Sequence, residues 1–127
     1  GLSRTKDPLK SYLVTEAGGT PYYMAPEVFT AKRTHAKADI YALGVIMNEA
    51  ICARPPWGSD TPFQVIYAVS VKHERPVMDK RCPPIVSSLI EKCWADDVSK
   101  RPSAVELLLL IDHCLEQLKQ GPSATSI

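Results

Sequence analysis

The run Asp39-Ile40-Tyr41-Ala42-Leu43-Gly44-Val45-Ile46-Met47-Asn48-Glu49-Ala50-Ile51-Cys52 is long enough for several helical turns and carries apolar residues on nearly every face. A helix built from it has to be buried. Burying Ile40, Leu43, Val45, Ile46, Met47 and Ile51 stabilises by about 1.5–3 kcal/mol each, provided that other elements coat the helix from several directions. The rest of the chain is expected to be that coat. Four isolated polar residues, Asp39, Tyr41, Asn48 and Glu49, interrupt the apolar surface, and each needs a partner once buried. Asp39, in the first turn, either complements the helix dipole or accepts hydrogen bonds from the backbone of a neighbouring loop.

At 127 residues the chain makes one domain or part of one. Fifteen Lys and Arg against fourteen Asp and Glu leave a net charge of +1, with the basic residues scattered, so no footprint for nucleic acid or an anionic membrane is present. The longest apolar run, Leu107 to Ile111, is far too short to span a bilayer. No basic-then-apolar signal opens the sequence. These features predict a soluble, cytoplasmic chain with no nucleic-acid partner and no membrane insertion. Cys52, Cys82, Cys93 and Cys114 form no CxxC pair, and three sit in apolar helical patterns, which reads as buried free thiols in a reducing compartment. A zinc site drawn from Cys93, Cys114, His73 and His113 is disfavoured, because adjacent His113 and Cys114 face different sides of one helix.

From Gly1 to Gly19 the pattern is irregular, with Pro8, two adjacent glycines and five hydroxyl residues. It reads as a long loop, a kind that in compact domains is usually functional or mobile. Ser3, Thr5, Ser11, Tyr12 and Thr15 are each either solvated loop residues or phosphate acceptors. In Gly18-Gly19-Thr20-Pro21-Tyr22-Tyr23-Met24-Ala25-Pro26-Glu27 the glycines permit a tight backbone and Pro21 stiffens the chain just after Thr20. Pro26 can open a short helix from about Ala25 to Thr30, with Glu27 in its first turn.

The central helix has to stop in Ala53-Arg54-Pro55-Pro56-Trp57-Gly58, where two prolines forbid continuation. Trp57 then plugs a gap against the core or meets a partner. Thr61, Pro62 and Gln64 supply a capped start for a helix to about Lys72, with Phe63, Ile66, Tyr67, Ser70 and Val71 as its buried stripe. A further helix from Ile85 to about Trp94 buries Ile85, Leu89, Ile90, Cys93 and Trp94. Ser103 with Glu106 makes a capping box ahead of Leu107 to Leu118, and Gly121-Pro122 is expected to stop that helix near Gln120, leaving 121–127 as a disordered tail. No alternating strand pattern stands out. The fold class is mainly α.

Several of these stretches resemble motifs of a known family. Thr20-Pro21-Tyr22-Tyr23-Met24-Ala25-Pro26-Glu27 resembles the end of a protein-kinase activation segment, complete with A-P-E. Asp39-Ile40-Tyr41-Ala42-Leu43-Gly44 is similar to the start of that family's central helix. Arg54-Pro55-Pro56-Trp57, Leu89-Ile90-Glu91-Lys92-Cys93-Trp94 and Arg101-Pro102-Ser103 match later signposts in order, and Gly1-Leu2-Ser3-Arg4 looks like the glycine of D-F-G and the three residues after it. The similarity covers about Gly1 to Lys119, so residues 1–120 are read as a partial kinase domain, the helical C-lobe around a buried central helix. Gly-Thr-Pro-x-Tyr resembles serine/threonine kinases. Cys93-Trp94 with Arg101-Pro102-Ser103 looks like their tyrosine-kinase-like branch.

The resemblance implies roles. Glu27 would pair with Arg101 in a bidentate bridge, Asp39 would hold the backbone of the catalytic loop, and Thr20, Pro21, Tyr22 and Tyr23 would form the platform for the protein substrate. Thr15, with Ser11 and Tyr12 as alternatives, would accept the activating phosphate from an upstream kinase or regulator. Two positions depart from the family pattern, Asn48 for a large aromatic and Ala53 for a glycine, and both concern packing.

Phosphoryl transfer also needs a phosphate-covering loop, a lysine, a catalytic base and carboxylates for magnesium. The sequence contains no G-x-G-x-x-G, no V-A-I-K and no H-R-D-L-x-x-x-N. ATP and Mg2+ are therefore expected to belong to a longer parent chain, no catalytic or metal-binding residue is assigned here, and this stretch alone is expected to be inactive. The alternative is a pseudokinase remnant or truncated helical module that docks partners through the Phe63 to Val71 helix.

Overall fold

The computed structural model describes residues 20–31 and 35–125, without the side chains of Thr20 and residues 121–125. It contains α1 (Pro26–Thr30), α2 (Ala36–Cys52), α3 (Pro62–Ser70), α4 (Pro84–Cys93) and α5 (Ala104–Thr125), with 3-10 turns at Thr20–Tyr23 and Val98–Lys100. No strand occurs among the described residues. The mainly α expectation holds.

The central helix α2 starts three residues earlier than its apolar run, because His35 caps it and Ala36 to Ala38 carry no conflicting preference. Its buried side, Ala38, Tyr41, Val45 and Asn48, packs with α1, α3 and α4. Met24, Val28, Val65, Val69, Ile90 and Trp94 complete that core. A second cluster, Ile40, Leu89, Cys93, Leu107 and Cys114, joins α2, α4 and α5. The expectation of burial on all faces needs correction: Leu43, Ile46 and Ile51 are 43%, 47% and 37% exposed.

Helix α4 comes close to α2 at Gly44, where an added Cβ would stand 2.8 Å from the Cβ of Cys93. The missing side chain is what allows the contact. Burial pushes the Cys93 thiol up to about 11. All four cysteines are free and buried.

Helix α3 begins as its sequence predicts. Thr61 Oγ1 accepts from the Gln64 N–H at 3.2 Å, and Gln64 Oε1 accepts from the Thr61 N–H at 2.7 Å. Its buried face differs from the expected stripe, however, since Val65, Ala68 and Val69 point inward while Phe63, Tyr67 and Val71 are 84%, 57% and 57% exposed. The helix carries two apolar stripes, and periodicity alone cannot rank them. The smaller side chains face α1 and the Thr20–Tyr23 turn, which lie close against α3. The helix ends at Ser70, two residues early, because His73 takes the left-handed conformation (φ 56°) and lets the Glu74 N–H bond the Ala68 carbonyl at 2.8 Å.

Helix α5 has the Ser103 and Glu106 capping box but does not stop at Gly121-Pro122; it continues to Thr125. Proline there removes one hydrogen bond near the end of an already nucleated helix, and propagation outlasts that loss.

Ala53 closes α2 at φ 58°, ψ 39°, with its N–H on the Glu49 carbonyl at 2.8 Å. A β-carbon is strained in that conformation. Replacing the exposed Ala53 by glycine should therefore stabilise the chain by about 0.5–1 kcal/mol, read as a higher urea midpoint at unchanged slope. Gly44→Ala should act oppositely, destabilising by about 1–3 kcal/mol as the α2–α4 contact is forced apart; an unchanged midpoint would contradict this packing account.

Candidate functional site

Arg101 is 1% exposed, yet it carries a full charge. Its Nη1 donates to Glu27 Oε2 at 2.7 Å and to the Lys37 carbonyl at 3.2 Å, Nη2 donates to Glu27 Oε1 at 2.8 Å, and Nε donates to the Ala95 carbonyl at 2.8 Å. The fork-to-fork pair with Glu27 is the strong kind of charged hydrogen bond. Lys37 Nζ returns a bond to the Arg101 carbonyl at 2.5 Å. One guanidinium thus joins α1, the start of α2 and the turn after α4.

Arg101 and Arg75 both lie over the Tyr41 ring, with guanidinium carbons 5.2 and 5.1 Å from its centroid. Each cation is attracted to the π-cloud of the ring, by roughly 0.5–2 kcal/mol. Arg75 is held in turn by the Trp94 carbonyl at 2.8 Å and by the Asp96 carboxylate. The Tyr41 hydroxyl has no partner among the described residues. Burial, opposed by the charges of Arg75 and Arg101, pushes it up to about 12.

Glu27 also meets His35, whose Nε2 is 3.2 Å from Oε2. Burial alone would raise the Glu27 carboxyl, but hydrogen bonds from Arg101 and the backbone, with the charge of Arg101, hold it below the usual range.

The Pro21–Tyr23 turn sits above this anchor and is tied down separately. Tyr23 Oη donates to Glu49 Oε1 at 2.6 Å, Tyr22 Oη to the Asp60 carbonyl at 3.2 Å, and Trp57 Nε1 to the Tyr22 carbonyl at 3.2 Å. Burial, reinforced by the Glu49 bond and charge, pushes Tyr23 up to about 12. Trp57, half-buried, therefore fills space against the core and also fixes the turn. Beside it opens a cleft of about 570 Å³ lined by Asn48, Cys52, Pro55, Trp57, Asp60 and Val77 among others.

The structure brings Glu27 and Arg101 together and places Pro21, Tyr22 and Tyr23 on one turn. Asp39 is exposed at the start of α2. Thr15, Ser11 and Tyr12 lie outside the described residues, as does the Thr20 side chain. The Tyr23–Glu49 bond, the contacts of Tyr41 with two arginines and the role of His35 are not foreseen by the sequence reading. The available signal is the presence of Tyr41, Asn48 and Glu49 as polar groups on an apolar helix; Asn48 Nδ2 bonds the Val77 carbonyl at 3.0 Å. Among the described residues no group of His, Cys, Asp and Glu is arranged to hold a metal, and no helix is long and apolar enough to cross a membrane.

The family model described as "Protein kinase domain" matches residues 1–110. Serine/threonine-protein kinase CTR1 of Arabidopsis thaliana is 34% identical over 128 residues, covering 100% of this chain and 15% of that protein. Serine/threonine/tyrosine-protein kinase HT1 of Arabidopsis thaliana is 35% identical over 108 residues, 85% of this chain and 28% of that protein. Mitogen-activated protein kinase kinase kinase mom-4 of Caenorhabditis elegans is 37% identical over 94 residues, 73% of this chain and 17% of that protein. The chain therefore spans less than a third of the length of each of these relatives.

Glu27→Gln leaves Arg101 buried beside a neutral partner. It should destabilise at pH 7 toward the lower end of the roughly 3–5 kcal/mol seen when one member of a buried pair is lost. Because Glu27 is lowered from 4.5, its contribution is complete above that value and lost as pH falls through the lower folded-state value. Urea titrations from pH 7 down to 3 should show wild type and Glu27→Gln converging only in the acidic part of that range.

Proposed function

This chain belongs to the protein kinase domain family, in the tyrosine-kinase-like branch of the serine/threonine enzymes, and from that premise we propose that it is the activation-segment and substrate-binding half of a serine/threonine protein kinase. The parent enzyme transfers the ATP γ-phosphate to Ser or Thr of proteins, with ATP and Mg2+ held by residues outside these 127. Within the stretch, Pro21, Tyr22 and Tyr23, with the Thr20 hydroxyl, seat the polypeptide around the acceptor. Asp39, exposed at the start of α2, holds the backbone of the catalytic loop, and Thr15, Ser11 or Tyr12 takes the activating phosphate from an upstream kinase or regulator. The buried thiols suit a reducing, cytoplasmic setting.

The observation that carries this reading is the Glu27–Arg101 bridge, because it fastens the short segment below the platform to the helical core. Docking a peptide requires a stiff seat, since every residue left mobile adds ordering entropy to the cost of binding. A binding module without catalysis is the second reading, and the exposed Phe63, Tyr67 and Val71 on α3 favour it.

Two measurements separate them. The reading frame upstream of Gly1 should encode an H-R-D-type loop and Asp-Phe directly before Gly1; degenerate residues at those places would favour the module. The purified 127-residue chain, given labelled ATP, Mg2+ and Ser/Thr peptides, should transfer no phosphate, and measurable incorporation would refute the proposed division of labour.

A further inference from the structure

His35 stands where a helix of this kind usually starts with Ser, Thr, Asp or Asn. Its backbone is extended (φ −166°, ψ 177°), its carbonyl accepts from the Ala38 N–H at 3.0 Å, and its Nδ1 accepts from the Lys37 N–H at 3.2 Å. The other nitrogen, Nε2, faces Glu27 Oε2 at 3.2 Å. Both contacts constrain the protons. An ionised carboxylate only accepts, so Nε2 carries hydrogen; a backbone N–H only donates, so Nδ1 is bare. Of the three forms of the ring, only the neutral Nε2–H tautomer satisfies both neighbours.

We propose that His35 is a positioning residue for the Glu27 anchor: one planar ring caps α2 with Nδ1 and holds Glu27 with Nε2, and a proton added at Nδ1 breaks the first contact while strengthening the second. A protonated Nδ1–H would point at the Lys37 N–H, donor against donor, so the cap is lost. The Nε2–H bond to Glu27 becomes charge-assisted. Among the described residues, Glu27 from α1 faces the ring, Arg101 shares Glu27 Oε2 with it, Lys37 and Asp39 belong to the helical turn that the ring caps, and the Lys37 charge reaches Glu106 of α5. A Ser or Asn cap cannot reach Glu27 and would leave α2 and α1 independent at this corner. The inference deepens the reading of Pro21–Tyr23 as a substrate seat, because the ring sets where the segment below that seat meets the core.

The test does not involve substrate, so its failure is distinct from failure of the kinase reading. Hydrogen exchange of the Lys37 amide in the 127-residue chain at pH 8 should quicken about five- to tenfold in His35→Phe, whose ring offers no acceptor, the scale of a lost helix cap. In His35→Asn, which keeps a strong cap, the Lys37 rate should stay near that of wild type. Long-range nitrogen-15 correlations should show a bare Nδ1 and a protonated Nε2 at pH 8. An unchanged Lys37 rate in His35→Phe, or a protonated Nδ1 at pH 8, would overturn the proposal.

Discussion

A guanidinium with 1% exposure is the constraint on which the arrangement of this chain turns. Removing such a charge from water costs several kcal/mol, and only close, well-directed acceptors recover it. Arg101 has four hydrogen bonds, accepted by Glu27, Lys37 and Ala95, and they come from segments far apart in sequence. If Glu27 moves away the charge is left uncompensated, and if either carbonyl does a guanidinium hydrogen bond is lost. The polar bridge therefore sets the relative placement of α1, α2 and the turn before α5 more tightly than apolar contact alone would, since hydrophobic burial is not directional.

Around that bridge the apolar core is divided between two clusters that meet along α2. One carries the Met24–Val28 segment, the other carries α5, and α4 contributes to both. Met47 packs against both, and Gly44 lets α4 come close enough for the second cluster to form. The flank of α2 bearing Leu43 and Ile46 belongs to neither.

Much of this was legible in the sequence because the signals are local. Capping at Thr61 and Ser103, the stop at Pro55-Pro56 and the composition of α2 each depend on a few neighbouring residues, and the structure contains them all. The Glu27 and Arg101 pairing was legible through motif resemblance, since 74 residues separate the partners and no periodicity connects them. The choice between alternatives of similar local merit could not be read. Helix α3 offered two apolar stripes, and its neighbours selected Val65, Ala68 and Val69 over Phe63, Tyr67 and Val71. Gly121-Pro122 looked like a stop, but a growing helix passed through it. His35 resembles no common cap, and Tyr41 gave no sign that two arginines from distant loops would close over its ring.

The four thiols have a use that packing alone does not suggest. Cys93 lies under Gly44, Cys114 donates to the Ile85 carbonyl, Cys52 donates to Asn48 at the end of α2, and Cys82 sits in the core beside Trp94's cluster. A shielded thiol reacts only when its surroundings part and a thiolate forms. Alkylating reagents would thus report the opening of each junction separately, giving the chain built-in probes of which corner loosens first.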